Sequence, residues 1–210
     1  MTSNQCNIMD RFSSEQVKNL SNVAHQGTGR AGKALSSLIG EQVELSESSV
    51  EVRTRTEIEE ELSRFNNGFP MLVTQDFHGK ISGRAGLFFR DHSGTNLAHL
   101  LMEEDEISSE TQDVLFEILL EVGNIVLNGV MGSLSNMARD QMSYSIPRIS
   151  VGPEIIQAFS KVAALSGDNE CANLVLKVDF NFAEHQIQGS LFVVFDLQTV
   201  RSIIIEQLFA

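Results

Sequence analysis

A chain of 210 residues with 42% apolar content can bury one sizeable core, and its 28 acidic against 15 basic residues leave a net charge of −13. No run of Lys or Arg is interleaved with aromatics, which argues against nucleic acid and anionic membrane surfaces as partners. Cys6 and Cys171 lie far apart without CxxC spacing, so zinc-finger and dithiol motifs are excluded and a reducing cytoplasm is expected. The opening "MTSNQCNIMDRF" lacks the basic start and apolar stretch of a leader, and each apolar run is expected to break before the roughly 20 residues a bilayer span needs.

Residues 1–12 read as a flexible N-terminal tail ahead of one domain, 13–210, because three prolines and no low-complexity tract leave no linker. From Ser14 to Ile39 apolar residues recur at helical spacing, with Ser14 as a candidate cap, Glu15 in the first turn and Gly40 as the stop. "QVELSESSVEVRTRT" alternates apolar with polar residues and predicts a strand; "EIEEELSRF" predicts a short helix and "NNGFP" a break. "MLVTQDF" and "ISGRAGLFFR" predict two strands around a turn at His78-Gly79-Lys80, and "SGTNLAHLLMEE" returns to helical periodicity.

The second half runs in the same order. "SSETQDVLFEILLEVGNIVLNGVMGSLSNMA" predicts a long helix capped by Ser109, "QMSYSIPRISV" a strand, "LVLKVDFNFAEHQIQGSLFVVFD" a hairpin and "LQTVRSIIIEQL" a closing helix. Placing "GKALSSLIG" beside "MGSLSNMAR" pairs Ser36 with Ser135, 99 residues apart, and "AGLFF" then falls near "GSLFVVF". The expected fold is therefore α+β, an internal pseudo-twofold duplication with repeats of about 13–105 and 106–210. It should hold a mainly antiparallel sheet with two long helices packed on it.

On the second long helix Glu117, Glu121, Asn124, Asn128 and Ser135 are spaced four, three, four and seven residues apart, which puts them on one stripe. Leu115, Ile118, Leu119, Val122, Ile125, Val126 and Gly129 fall on the other side and are expected to pack on the sheet. A solvated helix face needs no function. Two mid-helix asparagines nevertheless cost about 0.5 kcal/mol each relative to Ala, with no cap to justify them. Leu120, Leu127 and Met131 flank the stripe, either as apolar shoulders for a partner or as extra width on the buried face.

These residues resemble the signature of the CheC/CheX/FliY-type phosphatases of bacterial chemotaxis: an acid or serine, three residues, Glu, two residues, Asn, twenty-two residues, Pro. Glu121 and Asn124 match its Glu and Asn, Pro147 falls at the required distance, and Glu117 stands where Asp or Ser is usual, a span of 31 positions. "EVGNIVLNGVMGSLS" is similar to the family's "EIGNI" helix, and "GLFFRDHSGTNLAHLLM" to its sheet-edge strand and the helix that follows. The resemblance covers nearly the whole chain after the tail.

What it implies is a CheC-like fold and hydrolysis of the phosphoryl-aspartate of a CheY-like response regulator. Glu121 and Asn124 would be the catalytic residues, Glu121 pairing with the regulator's active-site lysine and Asn124 positioning the attacking water, with Glu117 and Pro147 in support. No cofactor is implied for this chain, because the regulator holds the Mg²⁺. Phosphoryl transfer depends mainly on positioning and electrostatics, and a neutral amide can both donate to and accept from water without repelling the phosphoryl group. At the 99-residue offset the first repeat carries Asn22 for Glu121, His25 for Asn124 and Ser48 for Pro147. Asn22 cannot form an ion pair with lysine and His25 differs in shape from asparagine, so these are degenerate counterparts and a single active site is expected.

A CheD-like protein and a second copy of the chain are further partners the resemblance implies. Its alternative is a non-catalytic response-regulator-binding or flagellar-switch-like interaction module, since flagellar switch domains share the architecture. Other signals carry less. His25, His78, His92, His99 and His185 show no HxxxH or HExxH spacing, so no metal site is expected. Ser133 and Ser135 lack a GxSxG context, and "GTGRAG" lacks a Walker ending, so its glycines are expected to permit close helix packing.

Overall fold

Ser13, not the expected Ser14, caps the first long helix: its hydroxyl accepts from the Gln16 backbone N–H while the Gln16 side chain accepts from Ser13 N, a reciprocal capping box. In the computed structural model, which describes residues 12–46, 48–64, 68–102, 112–163, 173–196 and Val200, this helix is α1, Ser14–Ile39, and it stops at Gly40 with φ 78°. It is followed by β1 Glu44–Leu45, β2 Ser49–Arg53, α2 Arg55–Ser63, β3 Met71–His78, β4 Gly83–Phe89 and α3 Ser93–Leu101. The second half holds α4 Gln112–Ala138, β5 Ser143–Tyr144, β6 Arg148–Val151, α5 Glu154–Ala163, β7 Asn173–Phe182 and β8 Ile187–Asp196. The strand expected after the long helix of each half is thus split in two, and α5 is an element the periodicity did not single out. Ser109, and the closing helix apart from Val200, lie outside the described residues.

The strands form one antiparallel sheet in which the halves exchange their edges. β4 and β8 pair at the centre, β1 and β2 of the first half join β7 of the second, and β5 and β6 of the second half join β3 of the first. The central register is reciprocal, Gly83 opposite Phe195 and Phe89 opposite Gly189. The breaks in the edge strands have the same cause. Ser46 N donates to Asp179 O and Ser46 Oγ accepts from Asp179 N, both at 2.9 Å. Ser145, 99 residues on, makes the same two bonds with Asp76, at 2.9 and 3.0 Å. The serine hydroxyl takes over the acceptor role in the ladder, and the strand resumes three residues later, at Ser49 and Arg148.

Alternation then sorts the side chains. Met71, Val73, Phe77, Leu87, Phe89, Leu176, Val178 and Phe180 point to the face covered by α1, α3 and α4, where the larger core lies; Leu72, Phe88, Val175, Phe192 and Val194 point to the other face, under Ile58 of α2 and Ile155 of α5. Phe12, at the end of the expected tail, is 4% exposed and belongs to the larger core. α1 and α4 pack on each other through small residues. A Cβ on Gly27 would lie 3.4 Å from Val130 Cγ1, and one on Gly129 would lie 3.5 Å from Ala31 N. Gly32 gives close passage to Leu45, whereas Gly29 has nothing within 4 Å, so two of the three "GTGRAG" glycines serve packing.

α4 corrects one expectation and resolves another. By length and composition Gln112–Asn136 is apolar enough to cross a membrane, so the rule that every apolar run breaks early does not hold for it. In the fold its apolar side lies against the sheet and α1, with Leu119, Val126, Leu127 and Met131 fully buried. Leu127 and Met131 therefore widen the buried face and are not docking shoulders; Leu120 is half-buried against the same core.

Candidate functional site on the second long helix

The turn of α4 that carries Glu121 and Asn124 is pressed onto β3 by the glycine between them. A Cβ at Gly123 would come 2.4 Å from Val73 Cγ1, too close for any other residue without moving the helix or the strand. A mid-helix glycine costs about 1 kcal/mol relative to Ala, and the close approach to Val73 is what justifies it here. With Val122 and Val126 buried on the sheet side, Glu117, Glu121 and Asn128 emerge exposed and Asn124 half-buried. Among the described residues neither Glu117 nor Glu121 takes part in an ion pair. Like charges at i, i+4 destabilise a helix by about 0.2–0.5 kcal/mol, so the row presents two carboxylates that a cation from a partner would relieve. Asn128 Nδ2 donates to Asn124 Oδ1 at 3.1 Å, so the two asparagines form one unit.

Two sequence candidates lie off this group. Ser135 is spent at the helix end, where its hydroxyl donates to Asp140 O. Ser36 of α1 serves the equivalent turn by accepting from Val43 N at 3.1 Å. Pro147 is not on the helix: half-buried, it ends the connector between β5 and β6 at the sheet edge beside β3. That connector is fixed from below, because Gln75 Nε2 donates to Ser145 O at 3.0 Å in addition to the Ser145–Asp76 exchange. Beside Pro147, Ile146 is 85% exposed, an apolar side chain that sequence reasoning passed over.

Neither a family model nor a curated protein sequence matches the chain. Solved structures do. FliY from Thermotoga maritima superposes with a TM-score of 0.62 at 13% identity, over 92% of this chain and 96% of that one. A chain of the CheX–CheY–BeF3–Mg²⁺ complex from Borrelia burgdorferi does so with 0.52 at 16% identity, over 81% and 96%. A chain of the FliG–FliM complex from H. pylori gives 0.62 at 12% identity, over 91% and 100%.

The chain has the CheC/CheX/FliY-type fold.

Within this CheX/FliY-type fold the first-half residues at the 99-residue offset carry different chemistry. Asn22 and His25 are exposed on α1, and Ser48 lies in the break between β1 and β2, as Pro147 does between β5 and β6. The backbone carbonyl of His25 accepts a hydrogen bond from Thr28 Oγ1. His78, His92 and His99 are exposed and His185 meets Glu41 at 3.0 Å; among the described residues no group of three His, Cys, Asp or Glu is placed to hold a metal ion. A carboxylate with a displaced pKa, Glu61 of α2, lies away from α4. Burial alone would raise the Glu61 carboxyl, but the hydrogen bond from Lys177 and the charges of Arg53 and Lys177 outweigh it and hold the group below its ordinary value. This network ties α2 to β2 and β7 on the opposite face of the sheet.

Proposed function

We propose that the protein hydrolyses the phosphoryl-aspartate of a CheY-like response regulator through a single site on α4. The observation that carries the reading is the joint presentation of Glu121 and Asn124 on one exposed turn, seated by Gly123, in a fold shared with a CheX crystallised together with CheY, BeF3 and Mg²⁺.

The exposed Glu121 carboxylate gives the regulator's active-site lysine a partner and thereby sets the docking angle. Asn124, one turn on, reaches the phosphoryl group: its Nδ2 donates to a phosphoryl oxygen or to the water, and its Oδ1 accepts from the water. The water oxygen bonds to phosphorus as the bond from phosphorus to the aspartyl oxygen breaks. The aspartate leaves as carboxylate; one of the water's two protons stays on the new phosphate oxygen, and the other passes to another phosphate oxygen or to solvent. Asn124 takes no proton in this scheme, which fits a transition state needing placement and charge compensation more than a base. Mg²⁺, held by the regulator, supplies the charge compensation. Glu117 adds to the negative field that draws the lysine, and Ile146 beside Pro147 offers an apolar contact at the edge. The cytoplasm, where response regulators work, is the corresponding location.

The test is the decay of phosphoryl-aspartate on a CheY-like receiver with Mg²⁺, alone, with wild type and with Asn124→Ala. Wild type is expected to accelerate decay and Asn124→Ala to leave it near the spontaneous rate; equal rates with both proteins would refute the proposal. The superposition on a chain of the FliG–FliM complex, with a TM-score of 0.62 against 0.52 for the CheX complex, favours a second reading, a non-catalytic interaction module. Its mark would be binding of the phosphorylated receiver with no change in its decay.

A further inference from the structure

We infer that Asn128 is a positioning residue that selects which end of the Asn124 amide faces the phosphoryl group; this rests on the phosphatase reading. The bond from Asn128 Nδ2 to Asn124 Oδ1, 3.1 Å across one helical turn, is directional. An amide has a donor end and an acceptor end, and half a turn about its last side-chain torsion exchanges them. On a solvent-facing helix surface the two orientations differ little in energy unless a neighbour chooses between them. Asn128 chooses: with Oδ1 held toward Asn128, the Nδ2 of Asn124 faces away from it and is free to donate. The reversed amide would set a carbonyl oxygen against an anionic phosphoryl group. Oδ1 retains a second lone pair for water, so the lock does not remove the acceptor the reaction needs.

A purely structural role fits the residue less well. Asn128 is exposed, an amide pair at i, i+4 adds little to helix stability, and asparagine is itself a poorer helix former than alanine. For the fold, Asn128→Ala should be close to neutral; for the reaction it should not.

The experiment compares wild type with Asn128→Ala, Asn128→Leu, Asn128→Gln and Asn124→Ala on a phosphorylated CheY-like receiver with Mg²⁺. Removing the donor in Asn128→Ala or Asn128→Leu is expected to lower kcat about fivefold, the worth of one ordinary hydrogen bond, with KM and melting temperature unchanged. Asn128→Gln, which keeps a donor on a longer arm, is expected to recover most of the loss. Side-chain amide NMR of the free protein reads the same lock without turnover: one Asn124 orientation in wild type, averaging in Asn128→Ala. Wild-type kcat in Asn128→Ala, a change in KM alone, or averaging already present in wild type would each overturn the inference. If Asn124→Ala is inactive in that case, the phosphatase reading survives it; an inactive wild type overturns both.

Discussion

α1 and α4, the long helices of the two halves, pack on each other through Gly27 and Gly129 and each end at a residue with left-handed backbone, Gly40 with φ 78° and Arg139 with φ 46°. Their buried faces do the same work. Their exposed faces do not: at the positions where α4 shows Glu121 and Asn124, α1 shows Asn22 and His25. The inward side chains must satisfy a sheet and a partner helix, so their chemistry is constrained, while the outward ones are constrained only by what they bind. A site can therefore reside on one of two similarly packed helices without any visible mark on the fold.

The comparison can be broken most severely by giving α4 the outward residues of α1. The double change Glu121→Asn with Asn124→His is expected to remove about 100-fold or more of the acceleration of phosphoryl-aspartate decay, the usual scale for losing transition-state donors, while circular dichroism and melting stay as in wild type. Retained activity would mean the chemistry lies elsewhere. Next in size is a pair of glycines. Gly123→Ala is expected to destabilise by about 2 kcal/mol because its Cβ meets Val73, whereas Gly29→Ala in α1, with nothing within 4 Å, is expected to stabilise by up to about 1 kcal/mol; urea midpoints of the two read this directly.

Charge separates the regions as well. Because Glu61 is held below its ordinary value in the folded state, its contribution to stability is fully present above the unfolded glutamate range, about pH 4.3, and fades as pH falls through the folded value. Glu61→Gln is thus expected to cost about 1 kcal/mol at neutral pH and to converge on wild type in acid, in urea titrations at a series of pH values. The smallest effect concerns the helix ends. Arg139 adopts the left-handed backbone that Gly40 adopts without strain, so Arg139→Gly is expected to raise the melting temperature, by the equivalent of about 0.5 kcal/mol, with activity unchanged.

Long periodic segments were legible from the residues alone: α1, both hairpins and the apolar side of α4 follow from spacing. The outward stripe was legible for the same reason, since helical phase fixes Glu117, Glu121, Asn124 and Asn128 together. What escaped depends on partners distant in the chain. Alternation continues through Ser46 and Ser145, and only their bonds to Asp179 and Asp76 split the strands. The reason for Gly123 is Val73, 50 residues earlier. α5 was missed although Pro153 stands just before Glu154 as a helix-start signal, because ten residues give too few turns for periodicity to stand out. The Asn128–Asn124 bond, by contrast, is a plain i, i+4 contact that spacing alone could have nominated.

The central claim is that one outward face, that of α4, meets the activated regulator. Amide and side-chain NMR of the labelled protein during titration with a BeF3- and Mg²⁺-activated CheY-like receiver measures this most directly. Glu121, Asn124 and Asn128 are expected to shift or broaden, and Asn22 and His25 to stay in place. Perturbation centred on Asn22 and His25, or shared equally by both helices, would contradict it.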